Sequence, residues 1–359
     1  MKIGLITLPL HTNYGGVIQC YALQEILKKL GHTVIVLEDT PSITLKERIL
    51  AFLKKTIYCR KLRSIDIGYN QNINRFIDQY IERLTYSSFT EIDKNDFNCF
   101  VVGSDQVWRP DFIRDAGTGL YDRYLFFAKS WNVKRIAYAA SFGLDKWTYT
   151  EKETKLCKNL LKLFNGVSIR EQSGVELCKT YLGCNSAVRV ADPTLLLDKD
   201  DYLNLIKDDS IADNANQIFS YILDSSGESK EFELVVEEKS GLKVYSPFSE
   251  EDIQKNTPKA PIENWLSAFR NSELIITDSF HGCVFSIIFN KPFWVIKNDA
   301  GGNTRIETLL SIYNLESRFV TPQLLKQRNI YEAIDWDFIN KIREDEKNKS
   351  INFLYSNLK

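Results

Sequence analysis

The segment Thr277-Asp278-Ser279-Phe280-His281-Gly282 carries the most chemically suggestive side chains in the sequence. It follows the apolar run Leu274-Ile275-Ile276 and precedes Cys283 to Phe289, so a strand ends here and a helix begins. Asp278 or Ser279 is placed to cap that helix by accepting an amide hydrogen bond. The amides and dipole of a first helical turn form an anion site, and His281 falls in that turn. The dipole lowers the pKa of an imidazole there, whereas a bound phosphate dianion raises it. The full charge at close range outweighs the helix end. With an anion bound, His281 is suited to act as a general acid near neutral pH. The alternative is a histidine satisfied by local hydrogen bonds. The other two histidines, His11 and His32, lack this setting.

Three further segments have the same strand-then-polar character. Ser168-Ile169-Arg170-Glu171 ends a short apolar strand on a guanidinium, whose planar fork suits phosphate or carboxylate. An ion pair with Glu171 or another acid is the competing role. Asn13-Tyr14-Gly15-Gly16 stands just before a helix, and its two glycines allow close backbone approach to a ligand. The run lacks GxGxxG spacing, so it also fits an ordinary strand-to-helix loop. Gly103-Ser104-Asp105-Gln106-Val107-Trp108 offers a carboxylate, an amide and an indole, the groups that hold sugar hydroxyls and ring faces. Asp105 as a helix cap is the plainer alternative.

The elements that must position these residues read as two α/β runs. Ile3 to Leu8 is a strand, Val17 to Leu30 a helix with Gly31 as its C-cap, and Val34 to Leu37 the next strand. This βαβ opening predicts a parallel sheet covered by helices. Leu45 to Leu84 has a charged helical pattern; Phe97 to Val102 and Arg135 to Ala140 are strands, and Thr150 to Phe164 is a helix. A second run starts with strand Gly166 to Arg170 and helix Glu171 to Leu182, and continues through strands at 188–190, 217–223, 242–245, 274–277 and 293–296. Helices fall at 228–239, 262–270, 283–289 and 304–312, and Asp335 to Leu358 reads as one or two amphipathic helices. The rhythm divides the chain into domains 1–165 and 166–330 with a helical tail 331–359. Ligands of open parallel sheets bind beyond the carboxyl ends of the strands. The polar residues found there are 11–16, 103–109, 141–143, Arg170-Glu171, Asp192 and 278–282, and facing domains would bring them to one cleft.

The bulk properties limit the function. At 359 residues the chain exceeds one ordinary hydrophobic core. It is 44% hydrophobic and 26% charged with a formal net charge of -1, which argues against a general nucleic-acid binder. Seven cysteines without a CxxC pair indicate small buried hydrophobes and no metal site. The N-terminus does not read as a signal peptide, and no apolar run approaches the roughly 20 residues needed to span a bilayer. A cytoplasmic protein is expected, with at most peripheral contact at the inner face of the membrane. The basic stretch Lys54 to Arg63 either touches an anionic surface or forms a solvated helix face.

Taken in order, the segments at 13–24, 101–108, 168–171, 191–197 and 277–282 resemble the polysaccharide pyruvyl transferase family. The resemblance runs from about residue 13 to residue 310. It implies a GT-B-like fold, two Rossmann-like domains around a cleft. It also implies phosphoenolpyruvate as co-substrate, no cofactor, and a sugar acceptor in a cell-surface polysaccharide, capsular or exopolysaccharide, or its lipid-linked precursor. The product would be a cyclic pyruvate ketal. Carried over by motif, Arg170 and His281 belong to the donor site, with Ser279 and Gly282 beside them. A further basic residue is expected after the histidine helix, where Lys291, Lys297 and Arg305 are candidates and Arg305 is preferred for the preceding glycine turn. Many relatives place arginine or leucine just before the histidine, where Ser279-Phe280 stands here. Asn13, Tyr14, Gly15, Asp105, Gln106 and Trp108 fall to the acceptor, with Asp105 as general base or acceptor anchor. The competing functions are a nucleotide-sugar glycosyltransferase on the same architecture, for which Glu307 is the acid in a comparable place, and a non-catalytic sugar-binding protein.

Overall fold

The structure is a computed structural model and describes residues 1–10, 13–39, 68–115, 119–206, 216–224, 226–247, 257–297 and 303–359. The basic stretch Lys54 to Arg63, His11 and the glycine pair Gly301-Gly302 lie outside the described residues. The chain forms two compact units. The first is Met1–Leu196 with Glu251–Lys259 and Lys349–Lys359; the second is Leu197–Glu250 with Ala260–Asn348.

In the first unit, β1 (Lys2–Ile6), α1 (Tyr14–Lys29), β2 (Thr33–Asp39), α2 (Gln71–Tyr80) and β3 (Arg83–Tyr86) are followed by β4 (Cys99–Asp105) and β5 (Lys134–Ala140). Then come α3 (Glu151–Leu161), β6 (Gly166–Ile169), α4 (Gln172–Leu182) and β7 (Val188–Arg189). The seven strands are parallel in the order β3-β2-β1-β4-β5-β6-β7. All seven residues of β4 are buried, as their near-continuous apolar run requires of a central parallel strand. The order reverses between β1 and β4, which makes the carboxyl ends of those two strands the topological switch point.

The second unit holds β8 (Ile218–Tyr221), α5 (Gly227–Ser240), β9 (Val244–Tyr245), α6 (Ile262–Asn271), β10 (Leu274–Thr277), α7 (Phe280–Ile288), β11 (Phe293–Val295) and α8 (Asn303–Ile312). Its parallel sheet runs β11-β10-β8-β9, with the switch point between β10 and β8. Helices α6 and α7 share an aromatic cluster: Trp265 meets Phe269 and Phe285 edge-on at 5.0 and 4.9 Å, and Tyr221 of β8 joins it at 5.2 Å. The chain ends in α9 (Trp336–Leu358).

The expected boundary near residue 165 is displaced to Leu196. Strand β6 pairs with β5 through Ala137↔Val167 and Ala140↔Ile169, and β7 pairs with β6, so Arg170 and Asp192 belong to the first unit. A strand–helix rhythm is the same in both units and does not say which sheet a strand joins. The tail 331–359 is not a separate body. It is one 23-residue helix preceded by residues of the second unit, and its last turns from Lys349 belong to the first. The helical pattern of Leu45 to Leu84 ends in α2 and then a strand, because Val36, Leu37, Glu38 and Asp39 pair with Arg83 to Tyr86. Cys20, Cys99, Cys157, Cys178 and Cys283 are buried, and Cys184 is half-buried.

Candidate active site

In the second unit the turn from β10 into α7 is held tightly against the end of β8. The Thr277 hydroxyl donates to the Tyr221 carbonyl at 2.6 Å and accepts from the Ser279 amide at 3.0 Å. A Cβ on Gly282 would land inside the Thr277 side chain, so glycine is what lets the first turn of α7 approach the strand end. Asp278 does not cap α7. Its two carboxylate oxygens accept from the amides of Leu223 and Asp224 at 2.7 and 2.8 Å, which ties the loop after β8 to the loop after β10 at the switch point. Ser279 occupies the N-cap position without a side-chain capping bond. The expectation that Asp278 or Ser279 caps the helix therefore fails, since carboxylate and loop amides meet first. Helix α7 starts at Phe280, and His281 lies in its first turn, 5% exposed, with its ring 5.3 Å from that of Phe280 and perpendicular to it.

The geometry separates the three candidate cations. The Arg305 guanidinium, from α8, lies 6.0 Å from the Phe280 ring and so stands at the start of α7. Lys291 follows the other end of α7, where its amide bonds the Ser286 carbonyl at 2.8 Å. Nine residues of helix separate the two ends, about 13 Å at 1.5 Å per residue. Burial and then Lys199 lower the Lys291 pKa. Lys297 is exposed just beyond β11.

In the first unit the switch point gathers a chain of charges. Asp105 ends β4 with a left-handed φ of 63°, a conformation that costs a non-glycine residue free energy and marks a position fixed by its surroundings. Arg170, just beyond β6, donates through Nη2 to Asp105 Oδ1 at 3.1 Å and through Nη1 to Asp192 Oδ2 at 2.7 Å. Asp192 also accepts from Ser104 Oγ at 3.3 Å, from the Thr194 amide at 3.0 Å and from Thr194 Oγ1 at 2.6 Å. Burial disfavours the Arg170 charge, but Asp192, Asp105 and Glu171 outweigh it and raise the pKa. Glu171 turns the other way: Oε1 accepts from Ser141 Oγ at 3.0 Å and the Phe142 amide at 2.9 Å, fixing the loop after β5. At the head of α1, Asn13 is the N-cap and accepts from the Gly15 amide at 2.9 Å. A Cβ on Gly16 would sit 3.9 Å from Asp105 Oδ2, so this helix start and Asp105 are neighbours.

Asn13, Gly15, Asp105 and Arg170 thus lie together at one end of the first sheet. Arg170 does not share a unit with His281, as the displaced boundary requires. Trp108 is a core residue: it is fully buried, stacks on Tyr124 at 4.7 Å and donates to the Arg123 carbonyl, so its ring face is not available to a sugar. Tyr14 is likewise 1% exposed. Gln106 is buried beneath Gly143 and accepts from Arg109 at 2.9 Å. The sequence leaves Arg170 an ion pair with Glu171 or another acid as its competing role; the acids it meets are Asp105 and Asp192, and the sequence names a role for neither Asp192 nor Thr277. The signal available was an acid or hydroxyl at the end of each strand, without its partner.

Comparison with known proteins gives a family and a fold. The family model described as polysaccharide pyruvyl transferase matches residues 13–300. No curated protein matches the chain. Among solved structures, LpCGTa in complex with UDP is similar at a TM-score of 0.52 and 11% identity, over 99% of each chain. UDP-N-acetylglucosamine 2-epimerase from Rickettsia bellii gives 0.51 and 11%, over 99% of this chain and 96% of that one. A glycosyltransferase from Rickettsia africae ESF-5 gives 0.50 and 13%, over 99% and 97%. At such identities the likeness is one of fold, and the fold is GT-B-like, with two Rossmann-like units.

Proposed function

The chain belongs to the polysaccharide pyruvyl transferase family, and from that premise we propose that it transfers pyruvate from phosphoenolpyruvate to two hydroxyls of one acceptor sugar, forming a cyclic ketal and releasing phosphate. The sugar is part of a cell-surface polysaccharide or its lipid-linked precursor. No helix among the described residues is long and apolar enough to cross a membrane, so a lipid-linked acceptor would be met at the membrane surface. The observation that carries the proposal is His281 in the first turn of a helix that has no capping side chain, within the matched span.

In this reading the second unit takes the donor. The first-turn amides of α7 favour an anion, and Arg305 adds a full positive charge beside Phe280. Arg305 thereby supplies from α8 a positive charge of the kind an arginine just before the histidine would bring, where Ser279-Phe280 stands here. Protonated His281 gives its proton to the methylene carbon of phosphoenolpyruvate. The carbon–carbon π pair forms the new C–H bond, and the adjacent carbon gains oxocarbenium character. A sugar hydroxyl oxygen bonds to that carbon and its proton restores the imidazolium. The second hydroxyl then displaces phosphate, whose bridging oxygen keeps the bonding pair, and the second proton leaves with it. The first unit holds the acceptor hydroxyls, with Asp105 as the contacting carboxylate.

The test is phosphate release from phosphoenolpyruvate with a panel of sugars bearing neighbouring hydroxyl pairs. A general acid contributes roughly 10²–10⁴-fold, so His281→Ala should slow release by about a hundredfold or more. Release at the wild-type rate would remove His281 from the mechanism. The rival reading, glycosyl transfer from a nucleotide sugar, rests on fold likeness alone. Thermal stabilisation by a nucleoside diphosphate and none by phosphoenolpyruvate would favour it.

A further inference from the structure

We infer that Leu223 is a specificity-determining residue of the donor site, covering the methylene end of phosphoenolpyruvate so that the activated carbon meets a sugar hydroxyl instead of water. The inference rests on the donor reading of the second unit given above and deepens it.

Leu223 lies two residues beyond the end of β8, at the switch point of the second sheet, and is 48% exposed. An exposed leucine is ordinary on a surface, but this one is held in place beside the chemistry. Asp278 accepts from the amides of Leu223 and Asp224 at 2.7 and 2.8 Å, and it stands three residues before His281. The loop that bears Leu223 is thereby fastened to the turn that carries His281.

The described amides of this loop are taken up by the protein. Those of Leu223 and Asp224 go to Asp278, and that of Ser226 goes to the Asp224 carbonyl at 3.0 Å and to Ser229 Oγ at 2.8 Å. The Ser229 amide goes to Ser226 Oγ at 3.2 Å, so α5 is closed by its own capping box. Helix α7 is the opposite case: its N-cap Ser279 makes no side-chain capping bond, and Arg305 stands at its start. The β10 side of the switch point therefore offers positive charge, and the β8 side offers an apolar side chain. Phosphoenolpyruvate has matching parts, the phosphate and carboxylate oxygens on one hand and a CH2 group on the other.

Protonation of the methylene carbon creates an electrophile that water can also attack. The water oxygen would bond to the central carbon and pass one proton to the imidazole. Phosphate would then leave with the carbon–oxygen pair as the new hydroxyl loses its proton, and the product would be free pyruvate. An apolar side chain over the methylene end fills the space that this water needs, as water exclusion protects reactive intermediates in closed sites.

Partition of phosphoenolpyruvate between ketal and free pyruvate, measured at saturating acceptor, tests this. Leu223→Asn keeps the size and removes the apolar cover, so the ratio of free pyruvate to ketal should rise about tenfold, the scale of an apolar contact in a specificity pocket. Leu223→Met, apolar and of similar volume, should stay near wild type. An unchanged ratio in Leu223→Asn overturns the inference. An equal rise in Leu223→Met overturns it too, since displacement of the loop would then be the cause. Leu223 is exposed and outside the core, so both variants keep the fold. Should no sugar yield a ketal, the proposed function fails by itself, and saturation-transfer NMR with phosphoenolpyruvate alone tests the contact. Saturation of the protein methyl protons should reach the vinyl protons in wild type and fall in Leu223→Asn. Equal transfer in both proteins, or none in wild type, overturns the contact.

Discussion

Arg305 illustrates how much of this site depends on single side chains reaching across helices. Its guanidinium comes from α8 and meets the Phe280 ring at the start of α7, where a cation faces both an aromatic surface and the positive end of a helix. Two positive features at one point favour a doubly charged donor. Removing Arg305 deletes one charge-assisted interaction, worth about 1.5–3 kcal/mol. Arg305→Gln should therefore raise the KM for phosphoenolpyruvate roughly ten- to hundredfold and leave the acceptor KM in place. The equivalent change at Lys291 should move neither, because Lys291 follows the opposite end of α7. Steady-state kinetics on both variants checks the contrast. At this scale the sequence offered three cations and a preference for one. Distance to Phe280 is a tertiary quantity, and it is what separates them.

At the scale of the element, the turn from β10 into α7 is a packing solution as much as a chemical one. Thr277, Gly282 and the Tyr221 carbonyl occupy one small volume, and Asp278 spends its carboxylate on the loop after β8. Gly282→Ala forces a methyl group into Thr277, and overpacking of this kind costs about 1–3 kcal/mol. Thermal denaturation should show that loss, and Thr277→Ala in the same chain should recover part of it, as coupled neighbours do. If Gly282→Ala melts with wild type, the close approach of α7 to the strand end is wrong. Strand, turn and helix were legible here from the apolar run and the following polar residues. The capping role given to Asp278 was not, since a carboxylate after a strand is equally able to accept amides from its own helix or from the neighbouring loop.

Across the whole molecule, the last helix contributes to the first unit although it is the end of the chain. The Ala191 amide donates to Ser350 Oγ at 2.9 Å, Phe353 lies 6.4 Å from the Tyr138 ring, and Leu354 is fully buried. Removing a fully buried leucine side chain costs about 2–5 kcal/mol. Leu354→Ala should destabilise the first unit by that amount, read as earlier hydrogen exchange in β5 and in the residues around Ala191. Protection there equal to wild type would show that α9 is not part of that core. A reading of amphipathic spacing found the helix, but no local pattern names the body it packs on.

The sequence by itself determined the α/β class, most of the strands and helices, the ends of strands where chemistry collects, and the ordered motifs that place the chain in its family. These are properties of local periodicity and of residue order, which neighbouring residues settle among themselves. Tertiary structure alone decided that Arg170 and Asp192 stand with Asp105 in the first unit, that Trp108 fills a core, and that the chain passes from its first unit to its second at Leu196 instead of near residue 165. Each of those depends on which distant strands pair and what they bury. The sheet order β1-β4-β5-β6-β7 brings residues 105, 170 and 192 together across 87 positions of chain, and only the pairing of strands carries that information.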